Sequence, residues 1–245
     1  MPALTADTIA RVDTYWMADL GCSRAQLRSP QTVVLPHADE FYAGIFILLI
    51  GEAPIISLPH HLYLPLRATA ERWSAADVRH DTCLRTWLGD RVDQMIGPAF
   101  IGYADHTTFQ AIEPNPACLL GVCDEPQIAT LRAMCDAVEW EQGGSALGPN
   151  PTAGVYVGRE LVALAGYQVW GGDLAHIAVI THPHHRGRGY ACAAVSKLTE
   201  TVLAQGLVPQ YRTLDRNRPS IHVAQTLGFV RYGMSMAVRL RRLAP

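Results

Sequence analysis

Apolar residues recur along this chain with two periods, and the period names the element each stretch forms. Over residues 5–20, Ile9, Val12, Tyr15, Trp16 and Leu20 fall on one face at helical spacing. Residues 45–50 and 54–58 are short apolar runs bounded by Gly51 and Pro59, which reads as two buried strands. The pattern predicts a helix over 69–88 and a strand over 99–103, after Gly97-Pro98. His60 and His61 fall in a loop between these elements. Two adjacent histidines without a third partner read as solvent-facing or core side chains rather than metal ligands.

The second half is more regular. Residues 128–142 carry Leu131, Met134, Cys135 and Val138 at helical spacing. Three strand-like runs follow, 154–157, 160–170 and 174–181, parted by turns at Gly158-Arg159 and Gly171-Gly172-Asp173. That is the pattern of an antiparallel meander. A loop over 182–188 leads into a helix over 189–205, then a strand over 209–213. A helix over 219–227 stops at Gly228, and 229–240 reads as a strand pair. Turn-rich segments lie at 113–126, at Gly143-Gly144 and at Gly148-Pro149-Asn150-Pro151. A boundary near 115–125 gives an N-terminal α/β domain, 1–120, and a second domain, 121–245.

Composition narrows the class. The chain has 245 residues, 49% hydrophobic and only 17% charged, which excludes a disordered chain. A net charge of -2 offers no field for nucleic acid or an anionic membrane. The longest apolar run, 43–50, is too short to cross a bilayer, and the opening residues lack a basic-then-apolar pattern. Six scattered cysteines without a CxxC pair suggest reduced thiols and a cytoplasmic protein.

The chemistry concentrates in residues 177–191, a strand, a Gly-rich turn and a helix start. Unpaired N–H groups at a helix N-terminus favour an anion, and Gly187 and Gly189 let the backbone approach phosphate oxygens. Arg186 and Arg188 add positive charge. A strand-to-helix turn that merely needs glycines is the plainer reading. A P-loop would need Gly-Lys-Ser/Thr, which is missing, and a dinucleotide fingerprint would place its third glycine at Cys192.

A second segment follows: Asn217-Arg-Pro-Ser220, Ala224 and Leu227-Gly228-Phe229. With Arg186-x-x-Gly189-x-Ala191 upstream, it resembles the GNAT superfamily of N-acetyltransferases over residues 126–245. The resemblance implies an α/β (α+β) fold of the acyl-CoA N-acyltransferase type, a mixed central sheet flanked by helices, with the N-terminal α/β domain as an addition. From its similar length and mixed strand and helix content, that addition is expected to be a degenerate copy of the same fold that completes the acceptor cleft or a homodimer interface. The resemblance also implies acetyl-CoA as co-substrate and no metal. Its arm would lie along Val179, Ile180 and Thr181. Its pyrophosphate would sit at Arg186, Gly187, Arg188, Gly189, Tyr190, Ala191 and Cys192, with Asn217 and Ser220 nearby. A primary amine, on a small molecule or a peptide, would attack directly in a ternary complex.

Candidate residues for proton transfer stay open. Asp173 and His176 open the strand before the turn, where some members of the family carry a base; alternation puts them on opposite faces. Asp173 also reads as a turn residue and His176 as a half-buried strand side chain. Many members carry a Tyr four residues before the Gly of Leu-Gly-Phe; here it is Ala224, leaving Ser220, Tyr232 or water as proton donor. Glu139, Trp140 and Glu141 suit a cationic amine, and Tyr211 is a further acceptor-site candidate. His182, His184 and His185 read as a cationic rim rather than a metal cluster. A non-catalytic CoA-binding module and a nucleotide-binding protein are the alternatives to an enzyme.

Overall fold

The computed structural model describes residues 3–39, 41–143 and 150–241. The turn at Gly144 and Gly148-Pro149 lies outside these residues. In chain order, helix α1 (Ala6–Leu20) and the single turn α2 (Arg24–Leu27) precede strands β1 (Val33–Pro36), β2 (Ile45–Ile50) and β3 (Ala53–Leu58). Helices α3 (His60–Ala70), α4 (Ala75–Arg79) and α5 (Asp81–Leu88) lead to the long strand β4 (Val92–Tyr103). Then come β5 (Cys118–Leu119), α6 (Glu125–Met134), α7 (Ala137–Gly143), β6 (Ala153–Val157), β7 (Glu160–Trp170) and β8 (Leu174–Thr181). Helix α8 (Tyr190–Ala204), strand β9 (Val208–Leu214), helix α9 (Arg218–Thr226) and strand β10 (Val230–Leu240) close the chain.

These elements gather into two units, and each is woven from separate stretches of chain. The first comprises Met1–Thr8, Gly102–Arg212 and Arg218–Val230; the second comprises Ile9–Ile101, Thr213–Asn217 and Arg231–Pro245. The boundary expected near 115–125 falls inside the first unit.

In the second unit the strands run β1-β3-β2-β10-β4. Ile45, Ile47, Leu49, Ile56 and Leu58 bury one face against Leu66, Ala70, Val78, Leu84 and Leu88 of the helices. Burial of this kind stabilises by roughly 25 cal/mol per Å² of apolar surface. Asp13 of α1, 1% exposed, takes charge from Arg28 and accepts a hydrogen bond from the Tyr232 hydroxyl at 2.7 Å. The parallel pair β1–β3 is registered over every residue of β1, so it does not open into a fork.

Four expectations need correction. The helix over 69–88 is interrupted after Ala70, because Ser74 and Asp77 form a capping box that starts α4 afresh. His60 and His61 open α3 instead of lying in a loop, and His60 Nε2 meets the His37 carbonyl at 3.1 Å. The 128–142 helix is two, parted at Cys135 and Asp136, where Asp136 Oδ1 accepts from the Val138 and Glu139 amides and begins α7. The expected strand pair over 229–240 is the single strand β10, which pairs antiparallel with β2 from Met234↔Leu49 to Val238↔Ile45.

The first unit carries the meander as expected. β5, β6, β7 and β8 pair antiparallel in sequence, and β9 joins β8 in parallel. Helix α8 buries Ala193, Ala194, Val195, Leu198 and Val202. Leu131 of α6 packs with Leu161, Leu164 and Ile180, so α6 and α7 serve the face holding the even-numbered side chains of β8. Asp105 ties the chain's opening to this unit. Burial alone would raise its pKa, but the amides of Thr5 and Thr107 and the Thr107 hydroxyl bring it down to about 2.

Gly228 ends α9 with φ 79°, and a Cβ there would collide with the Thr108 carbonyl. A left-handed conformation alone costs a side-chain-bearing residue roughly 1–2 kcal/mol. Gly228→Ala should therefore lower the melting temperature by at least about 2–4 °C. An unchanged melting curve would show that this approach is not close.

Candidate functional site: a fork in the sheet beside a glycine turn

β8 and β9 are registered from Leu174↔Val208 to Ile177↔Tyr211, whereas β8 stays paired with β7 as far as Thr181. The Val208 amide donates to the Asp173 carbonyl at 2.9 Å, so the odd-numbered residues of β8 turn their main-chain groups toward β9. By that alternation Val179 and Thr181 face the side from which β9 has departed. The sheet thus opens into a fork whose apex is Ile177 and Tyr211. Across the pair just before the apex, His176 Nδ1 meets Gln210 Oε1 at 3.0 Å.

At the open end β8 runs into the turn. His182 accepts from the His184 amide at 3.1 Å and starts a short turn over Pro183–His185. Gly187 and Gly189 follow with φ 73° and 81°, and a Cβ on either would meet nothing within 4 Å. The dihedral, and the free space above it, suit glycine here. The first turn of α8 then presents the amides of Tyr190, Ala191 and Cys192 before Ala193 closes the first helical bond onto Gly189 at 3.1 Å. Arg188 is exposed. Arg186 Nε donates to the Thr181 carbonyl at 3.4 Å, and Arg186 Nη2 to Glu139 Oε2 at 2.7 Å. Helix α7 thus holds the turn's arginine. Its end also lies over the β8 edge, since a Cβ on Gly143 would meet the Val179 carbonyl at 2.5 Å.

The two faces of the fork differ chemically. On the α6–α7 face, Gln210 Nε2 donates to the Tyr103 hydroxyl at 2.7 Å, so its Oε1 faces His176. An oxygen can only accept, so Nδ1 of His176 carries the proton and Nε2 is bare. The ring stacks on Trp170 at 4.0 Å, and Arg212 lies over the same indole at 5.7 Å. Burial first, and Arg212 second, push the His176 pKa down to about 4 against the opposing Gln210 bond. On the opposite face Tyr211 is buried against Phe229 at 5.4 Å, and its hydroxyl is 3.0 Å from Ser220 Oγ on α9. Burial raises the Tyr211 pKa to about 12.

The remaining candidates are dispersed. Asp173 is exposed in the β7–β8 turn, four residues from the apex. Asn217 is exposed, and its amide donates to the Leu214 carbonyl at 2.8 Å. Tyr232 belongs to the second unit and donates to Asp13. Trp140 carries Arg132 over its ring at 5.7 Å and helps to line a cavity of about 390 Å³ with Ala129, Ala133, Cys135 and Ala137. Glu141 is exposed. The cationic positions suited to an amine beside Glu139 and Trp140 are therefore already held by Arg186 and Arg132. Glu160, His182 and His185 bring three ligand atoms within 4.8 Å of one another. Yet His182 Nδ1 accepts a main-chain hydrogen bond, so its Nε2 bears the proton a metal would have to displace. Gln210 and Tyr103, which fix the His176 tautomer, were not singled out by the sequence.

Residues 153–234, from β6 into β10, match the family model of the GNAT acetyltransferase. Over this stretch, a third of the chain, the sequence is similar to that family. The fork, the glycine turn and α8 all lie within the matched stretch. Two solved structures share the fold over nearly the whole chain. The GCN5-related N-acetyltransferase from Kribbella flavida is 13% identical, with a TM-score of 0.54 and coverage of 98% of each chain. The GNAT-family acetyltransferase from Colwellia psychrerythraea is 12% identical, with a TM-score of 0.53 and coverage of 98% of this chain and 99% of that one. No match is found among curated proteins. Among the described residues, no helix is long and apolar enough to cross a membrane.

The His176 environment sets a pH dependence. An unfolded histidine near 6.5 binds a proton that the folded one, near 4, refuses. The resulting stability is complete above about pH 6.5 and is lost as pH falls toward 4. Nuclear magnetic resonance should show the His176 imidazole neutral at pH 5.5; a midpoint near 6.5 would overturn the burial described.

Proposed function

We propose that the first unit is an acetyl-CoA-dependent N-acetyltransferase that passes the acetyl group to a primary amine by direct attack. The observation that carries this reading is the fork between β8 and β9 opening beside the glycine turn of α8. A diphosphate fits the amides from Gly187 to Cys192, where the helix dipole and Arg186 and Arg188 favour negative charge. Val179 and Thr181 turn their main-chain edge to the side that β9 has left, where an amide-bearing arm could add as a strand does, in exchange for the Arg186 contact on the Thr181 carbonyl. From Thr181 to Ile177 the edge runs about 13 Å at the usual strand rise, comparable with an extended pantetheine arm.

The chain's own residues then position the reactants, and proximity can supply much of the acceleration. An odd-numbered amide of β8 polarises the thioester carbonyl. The bare Nε2 of His176 accepts an N–H of the neutral amine on the α6–α7 face. With a pKa near 4, His176 orients that amine better than it removes its proton at neutral pH. A coenzyme-binding module without turnover is the second reading. It is favoured by Ala224, fully buried where many relatives place a tyrosine.

Gly189→Asp tests the turn by putting a carboxylate where the diphosphate belongs. Calorimetry should show acetyl-CoA affinity at least about tenfold weaker, about 1.4 kcal/mol. Unchanged affinity would overturn the assignment. Thiol release from acetyl-CoA across a panel of amines separates the two readings: binding without release of thiol favours the module. NAD and ATP should leave the melting temperature unmoved while acetyl-CoA raises it.

A further inference from the structure

We propose that Arg186 guards the β8 edge, so that a pantetheine arm is accepted there only when it carries its diphosphate; the proposal rests on the coenzyme-binding part of the reading above. Arg186 then sets which thiol-bearing ligand the fork takes, beyond adding charge to the turn.

Thr181 is the last residue of β8, and its carbonyl faces the side that β9 has left. An arm entering from the glycine turn meets this carbonyl before that of Val179, against which Gly143 of α7 lies. The Thr181 carbonyl is already engaged. Arg186 Nε donates to it at 3.4 Å, and Nη2 of the same guanidinium donates to Glu139 Oε2 at 2.7 Å. One planar fork of donors thus spans the strand edge and α7. An arm amide that pairs with Thr181 has to take the place of Arg186. A neutral arm competes there with a charged donor and brings the guanidinium nothing in return. A diphosphate on the amides from Gly187 to Cys192 sits beside Arg186 and offers it new acceptors. The Arg186–Glu139 pair is half exposed on each side, so it is open to exchange with another anion. Capture of the diphosphate and release of the edge are then one event. The obstacle acts only against arms without a diphosphate, which is specificity by an opposing contact. Arg188 is exposed and makes no bond to the edge among the described residues, so it adds charge without guarding the strand.

The test is calorimetry with two ligands, CoA and pantetheine, the second being the same arm without its diphosphate. Arg186→Ala should bind CoA about tenfold more weakly and pantetheine about two- to fivefold more tightly. Loss of a diphosphate contact alone would weaken CoA and leave pantetheine unmoved. Arg188→Ala supplies that comparison: it should weaken CoA without tightening pantetheine. Glu139→Gln, which loosens the arginine, should tighten CoA about two- to threefold and should change nothing once Arg186 is alanine. Pantetheine affinity that is unchanged, weaker or undetectable in Arg186→Ala would overturn the proposal and, where the wild-type protein binds CoA, leave the coenzyme-binding reading standing. A wild-type protein that does not bind CoA would overturn both.

Discussion

The first unit depends on one main-chain edge of β8 that no strand among the described residues pairs. An amide or carbonyl without a partner is costly when shielded from water, and an open sheet edge invites pairing with another strand. Here β8 keeps full pairing with β7 on one side, while β9 leaves it after Tyr211 on the other. The His176–Gln210 hydrogen bond joins the two strands just before they part, so the fork starts at a defined residue. The edge beyond is short, covering only the last residues of β8. A chain that keeps such an edge has either covered it or reserved it for a ligand with amide groups of its own.

Helix α7 does part of the covering. Gly143 lies against the Val179 carbonyl, and Glu139 holds Arg186, which itself donates to the Thr181 carbonyl. Both odd-numbered carbonyls past the apex therefore have protein neighbours. The ion pair is half exposed on each side, and such pairs contribute little, about 0–1 kcal/mol. So weak a pair leaves the arginine open to exchange with another anion. Glu139 thus satisfies the arginine without committing it.

The turn chemistry was legible in the sequence because it is local. Gly187, Gly189 and Gly228 each occupy a left-handed position, and the helices that begin or end there follow from the spelling alone. The meander over 153–181 was equally legible, since alternation and tight turns fix it without distant partners. The fork was not, because register between β8 and β9 is set across the whole of α8. For the same reason Gln210 carried no signal: nothing near it in sequence says that it faces His176. Breaks within apolar stretches were hidden too. Ser74 and Asp77 look like polar positions of a continuing helix until their side chains are seen to bond the main chain. β10 read as a hairpin because its partner, β2, lies far upstream.

The placement of charge across the fork follows from these contacts. On the α6–α7 face the His176 ring is kept neutral at neutral pH by burial and by Arg212. On the α8–α9 face the Tyr211 phenol is held protonated by burial and carries no negative charge. His176 and Gln210 stand one residue before the apex and Tyr211 at it, and the alternation of side chains along β8 and β9 keeps these two environments apart.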